Sequence, residues 1–184
     1  MNLLKIYSTI LVAFFFLSCS QPLDFEQVEE YTFMPSISSS LAFFSIDASN
    51  FNTIISGISV PTEVNETSDF KLLENSFIKQ NLVQLDFYFE IRNEFNNVFL
   101  LDVNLLDAES NIIHKVFEGF EISSNTLEIR EEVLRTIENF PEVVNFTKVQ
   151  FIIGLKDTSI TLNASSLSKI ECKSSVVIHL ESNI

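Results

Sequence analysis

The sequence predicts an all-β protein, two packed antiparallel sheets with one short helix, and three observations predict it. Apolar and polar residues alternate at spacing two, most strictly over Val83, Leu85, Phe87, Phe89 and Ile91, with Gln84, Asp86, Tyr88 and Glu90 between them. Short runs rich in Asn, Asp and Ser separate such stretches. Of 184 residues, 46% are hydrophobic, 19 are Phe and only 3 are Gly. The chain can therefore fill a sizeable core, and its turns fall to Asn, Asp and Ser.

Taken in order, Tyr31 to Ile46 forms the first strand region, where Pro35 marks an edge or a bend. Phe51 to Ile58 follows, and residues 59–75, which show no clean period, read as a long loop. The alternation over Val83 to Ile91 gives that strand a buried face and a wet one. The turn-prone run Asn93 to Asn97 leads into Phe99, Leu101, Val103 and Leu105, and Asp107 to Asn111 turns the chain into Ile112 to Phe120. Three strands joined by short polar turns predict an antiparallel meander. Asn125-Thr126-Leu127-Glu128 then offers a helix cap, Ile129, Val133 and Ile137 recur at spacing four, and Asn139 with Pro141 ends the run. A strand over Leu127 to Val133 is the competing reading; the spacing favours the helix. Val149 to Leu155 and Ile170 to Leu180 complete the set. Seven or so half-buried strands predict an immunoglobulin-like β-sandwich, in architecture only, because the Cys pair and Trp of antibody domains are absent.

Composition excludes several functions. With 11 Lys and Arg against 25 Asp and Glu, the net charge is −14, so nucleic-acid binding by phosphate neutralisation is excluded. Gly57, Gly119 and Gly154 lie too far apart for a phosphate-cradling loop. His114 and His179 are the only imidazoles and lack neighbouring ligands, so neither a metal nor a cofactor is expected. Asp107-x-Glu109-x-Asn111 is spaced like the start of a calcium loop, but Ile112 stands where the sharp turn needs Gly, which favours a hairpin turn. No Gly-x-Ser-x-Gly elbow is present. Two acids brought together from different strands would leave no local trace, so abundant carboxylate is no sign of glycoside hydrolysis.

The N-terminus is more informative. Lys5 followed by the apolar run Ile6 to Leu17 is a secretory signal, shorter than the roughly 20 residues that span a bilayer. Phe16-Leu17-Ser18-Cys19 resembles the lipobox of bacterial lipoproteins, in a looser form similar to that of Bacteroidota. It departs from the commonest form in having Phe16 for Leu and Leu17 for a small residue. The resemblance implies that residues 1–18 are removed and that Cys19 carries the lipid; an ordinary signal peptide with an incidental Cys19 is the other reading. Residues 1–18 hold Lys5 and no acid, so 10 basic and 25 acidic residues leave a mature net charge of −15. Such a body is repelled by anionic lipid and stands off it. Residues 19–30 form an acidic tether, of which ten extended residues reach about 35 Å. Asp24-Phe25-Glu26 resembles the surface-export signal of some Bacteroidota lipoproteins, and a plain tether fits equally. Ser20 is not the Asp that retains enterobacterial lipoproteins at the inner membrane, which points to the outer one. Leu85 to Leu106, with Glu90-Ile-Arg-Asn93 and Leu105-Leu-Asp107, also resembles flavobacterial lipoproteins, a resemblance that brings no activity with it. Residues 31–184 are read as one domain.

These readings predict a non-catalytic, lipid-anchored envelope protein, attached to the membrane through Cys19 and binding or supporting another envelope protein. Tyr88, the large aromatic on the wet face beside Asp86 and Glu90, is the candidate contact. A carbohydrate-binding or adhesive surface protein is the alternative, and the chain offers it no Trp. With Cys19 lipidated, Cys172 is the remaining thiol, and the alternation Ile170, Cys172, Ser174, Val176, Ile178, Leu180 predicts it buried.

Overall fold

The computed structural model describes residues 32–55, 58–126 and 129–183; Cys19 and the segments read from sequence as signal peptide and tether lie outside them. The strands are β1 (Thr32–Phe33), β2 (Ser36–Asp47), β3 (Asn52–Ile55), β4 (Ile58–Pro61), β5 (Val64–Asp69) and β6 (Leu82–Asn93). They continue with β7 (Phe99–Leu106), β8 (Ile112–Ile122), β9 (Ile129–Thr136), β10 (Lys148–Leu155), β11 (Lys169–Leu180) and β12 (Ser182–Asn183). One short helix, α1 (Ser76–Asn81), precedes β6, its first turn held by the Asn75 side chain, which accepts from the backbone N–H groups of Phe77 and Ile78.

Two four-stranded sheets, ordered β2-β11-β6-β9 and β5-β10-β7-β8, carry the fold, and every strand pair within them is antiparallel. The expected sandwich is there. Its connectivity is a jelly roll: the chain alternates between the sheets, and of the eight strands only β7 and β8 pair with a neighbour in sequence. The hairpin β3–β4 is inserted between β2 and β5.

Inward-facing residues follow the predicted alternation. Leu85, Phe87, Phe89 and Ile91 of β6 are buried, as are Ile170, Cys172, Ser174, Val176, Ile178 and Leu180 of β11. Val83 departs from the set: the register shifts between His179 and Leu180, Leu82 takes the inward place, and Val83 is turned outward. Phenylalanine fills the space between the sheets. Phe89 lies 4.9 Å from Phe117 and 6.3 Å from Phe151, and Phe146 stacks on Phe70 at 4.7 Å.

Three local expectations are corrected. The meander fails between β6 and β7, which belong to different sheets, because the turn between them contains Phe95. That ring is 4% exposed and packs on Phe51 and Phe99, so the turn arches over the end of the core. The helix expected after Asn125 is strand β9, paired with β6 from Ile91↔Ile129 to Gln84↔Thr136. Its spacing-four pattern yields to the tertiary requirement that β6 have a neighbour, and the residues 127 and 128 of that cap lie outside the described ones. The loop expected over 59–75 contains β5, an edge strand whose Asn65, Glu66 and Thr67 are all exposed, which erases any period.

Candidate functional site

The wet face predicted for β6 is the outer face of the β2-β11-β6-β9 sheet. Its rows are set by register: Ser36–His179–Gln84, Ser40–Ser175–Tyr88, Phe43–Lys173–Glu90 and Ser45–Glu171–Arg92. Outward residues of three strands thus meet side by side although up to 143 residues separate them in sequence.

At one end of this face His179 Nε2 lies 2.7 Å from Asp86 Oδ2, and His179 Nδ1 lies 3.0 Å from Ser36 Oγ. Gln84 Nε2 donates to Asp86 Oδ1 at 2.7 Å. With Asp86 as the carboxylate acceptor, His179 Nε2 donates, and Nδ1 shares a hydrogen with the Ser36 hydroxyl. A hydroxyl, an imidazole and a carboxylate in that sequence of contacts can activate a nucleophile. Here they are cross-strand neighbours on a pleated sheet surface, Ser36 is exposed, and three clefts of the described residues are lined by other side chains. The network fastens the edge strand β2 to β11 and β6. It also gives both oxygens of Asp86, which is 7% exposed on an outer face, a hydrogen-bond partner that offsets the cost of its burial.

Tyr88 is half-buried in the middle of the same face, opposite Ser175 and Glu132 in register. Farther along, Lys173 Nζ bonds Glu90 Oε1 at 2.9 Å, and Glu171 takes Lys169 at 2.6 Å and Arg92 at 3.7 Å. The Lys169 ammonium beside Glu171 holds that carboxyl below its ordinary range. Among the described residues, these charges are matched with partners of opposite sign.

The other sequence candidates resolve one by one. Asp107 accepts from the backbone N–H and the side-chain amide of Asn111, which lower its pKa, and Lys148 reaches across to Ala108 O and Ser110 Oγ. That makes the segment a self-satisfied hairpin turn. His114 packs edge-on against Phe140 at 5.0 Å and lies 3.6 Å from Glu142. Among the described residues, no group of three or more His, Cys, Asp or Glu is placed to hold a metal. Cys172 is buried, and burial pushes its thiol up to about 12. It is expected to react at least about 100-fold more slowly with a thiol reagent in the folded protein than after denaturation, because the thiolate is the nucleophile. Equal rates would place Cys172 on the surface.

Sequence reasoning passed over the far end of the molecule. A cleft of about 520 Å³ opens there beside the outer face of the β5-β10-β7-β8 sheet, between Pro61–Glu63 and Thr158, with Ile152 and Leu155 as apolar wall. A second cleft of the same size shares Leu155 and Thr158 and runs on to Asn96, Asn97 and Ile160.

No family model matches the chain, and no curated protein does. Solved structures are similar at low identity. A crystal structure of a Parabacteroides distasonis protein described as secreted is 13% identical, with 65% of this chain and 38% of that chain covered at a TM-score of 0.48. The infectious bursal disease virus Gx strain structure is 8% identical over 83% of this chain and 33% of that one, TM-score 0.37. The enzymatically active domain of bacteriophage CBA120 tailspike protein 4 is 12% identical over 90% of this chain and 21% of that one, TM-score 0.33. The chain thus spans well under half of each. No helix of the described residues is long and apolar enough to cross a membrane.

Proposed function

We propose that this is a lipid-anchored protein of the bacterial outer membrane, without chemistry of its own, whose sandwich binds another envelope protein. The observation that carries the reading is the separation of its two ends. The polypeptide joins the sandwich near Phe33, where Leu180 N donates to Pro35 O, and β2 runs away from that point for 12 residues. The connections after β2, β6, β8 and β10 gather at the opposite end. Hydrogen bonds tie them to one another: Asn52 to Leu162 O, Asn93 to Thr126 O and Ser123 O, and Asn125 to Phe95 O. A strand of that length spans about 40 Å. The loop end thus lies opposite the point where the chain enters the sandwich, and it displays Leu167 at 96% and Ile58 at 69% exposure. Large apolar side chains are exposed there and also at Met34, Phe43 and Ile112 elsewhere on the body, and such exposed apolar surface supports a binding role.

The anchor is tested by mass spectrometry of the mature N-terminus, expected to begin at an acylated Cys19; an unmodified Cys19 or another start refutes it. The binding role is tested by recovery of a stoichiometric protein from detergent-solubilised envelopes after cross-linking. Tyr88→Ala is expected to weaken that recovery without changing stability by more than about 1 kcal/mol. Glycan-array binding with no protein recovered would replace this reading with the carbohydrate-binding one.

A further inference from the structure

Gly154 is the penultimate residue of the inner strand β10, paired with Leu100 of β7 and one residue past the last pair with β5, in a chain with only 3 glycines. A Cβ there would lie 2.9 Å from Cγ of Glu63. The absence of a side chain at Gly154 is what lets the Glu63 stem lie flat against β10, since a glycine inside a strand marks a close approach. Glu63, an exposed residue, thereby lines the first cleft together with Pro61, Ile152 and Leu155.

Its carboxylate has no cation among the described residues. Lys156, the basic residue of the adjoining cleft, bonds Glu121 instead. Asp157, the acid of that adjoining cleft, is occupied by the hydroxyl and backbone N–H of Ser159, which hold its carboxyl below the ordinary range. One unengaged anion thus sits on an aliphatic floor with no aromatic ring in the lining. A sugar ring would find no stacking platform there, whereas a cationic side chain with an apolar stem matches both the charge and the floor. The excess of acid over the whole chain steers a basic partner towards it.

We infer that the cleft walled by Ile152 and Leu155, beside Gly154, receives an Arg or Lys side chain from an extended segment of the partner protein, with Glu63 as the receiving carboxylate. This rests on the binding role proposed above and names where and by what chemistry the partner docks.

Glycine amides resonate in a sparse region of the nitrogen–proton spectrum, and the full mature chain has Gly57, Gly119 and Gly154 to place in it. The probe is a blocked pentapeptide Ala-Leu-Arg-Leu-Ala, compared with the same peptide carrying neutral citrulline for Arg. Saturable movement of the Gly154 resonance by the Arg peptide is expected, with binding about tenfold weaker for the citrulline peptide and for Glu63→Gln. Equal binding of the two peptides, no movement of Gly154, or indifference to Glu63→Gln overturns the inference. Movement of Gly154 by a neutral oligosaccharide in place of the Arg peptide overturns it in favour of a glycan site. Partner recovery separates the two claims. If wild-type protein and Glu63→Gln recover the partner equally, the cleft assignment fails and the binding role stands; if nothing is recovered by either, the binding role fails while the peptide titration still decides the cleft.

Discussion

Phe87→Ala is expected to lower the free energy of unfolding by about 3–5 kcal/mol, enough to remove much of the stability of a domain this size. The ring is fully buried at the centre of β6, opposite Val176 of β11 and Val133 of β9 in register, and 6.3 Å from Phe146 across the core. β11 is held on its other side by β2 and β9 is laddered to β6 over eight residue pairs, so the space left behind collapses little and the cavity adds to the lost burial. Urea unfolding followed by circular dichroism reads the effect as a lower midpoint with an unchanged slope. A loss below about 1 kcal/mol would mean that the ring does not face the core. Tyr88→Ala is the paired control, since it removes a half-buried ring from the other side of the same strand.

The inward face of β6 was legible because its two faces see such different surroundings that alternation persists over the whole strand. The same holds for β11, where six alternate residues from Ile170 to Leu180 are all buried. Strand β5 was not legible, because an edge strand with three successive exposed residues satisfies its ladder without burying a face. Nor was β9: Ile129, Val133 and Ile137 fit a helix locally, and only the open edge of β6 decides against it. The sandwich could be predicted from strand count, but the jelly-roll path could not. Whether a turn such as Asn93 to Val98 closes a hairpin or crosses between sheets depends on where Phe95 is buried.

Site residues divide along the same line. Cys172 and Tyr88 were placed by alternation within a single strand. Ser36, Asp86 and His179 meet only through the pairing of β2, β11 and β6, so no spacing in the sequence links them. Glu63 and Gly154 are likewise joined only by the fold. The one available signal was compositional: a glycine inside Val149-Gln-Phe-Ile-Ile-Gly-Leu155, in a chain that uses so few, asks what approaches it.

The second large effect is expected at Asn93, a fully buried amide at the end of β6. Its Nδ2 donates to Asn97 O and to Ser123 O, both at 2.9 Å, and its Oδ1 accepts from Phe95 N at 2.9 Å. One side chain therefore closes the β6–β7 arch and clamps it to the β8–β9 connection. Asn93→Ala strands a buried N–H and frees two carbonyls, one of which, on exposed Ser123, can turn to water. An unsatisfied buried group costs about 1–3 kcal/mol, so a loss of about 2–4 kcal/mol is expected. Phe95 is anchored by the arch, and its release should raise amide exchange and proteolysis over 94–98 and 123–126 before global unfolding. Asn93→Asp tests the orientation of the amide. A carboxylate keeps the acceptor for Phe95 N but turns its second oxygen on two carbonyls, so this variant should be at least as unstable as Asn93→Ala. If Asn93→Asp is as stable as the wild type, the nitrogen does not face Asn97 and Ser123, and the clamp between the two loops is held by the backbone bonds of Asn93 N to Thr126 O and Asn125 N to Phe95 O alone.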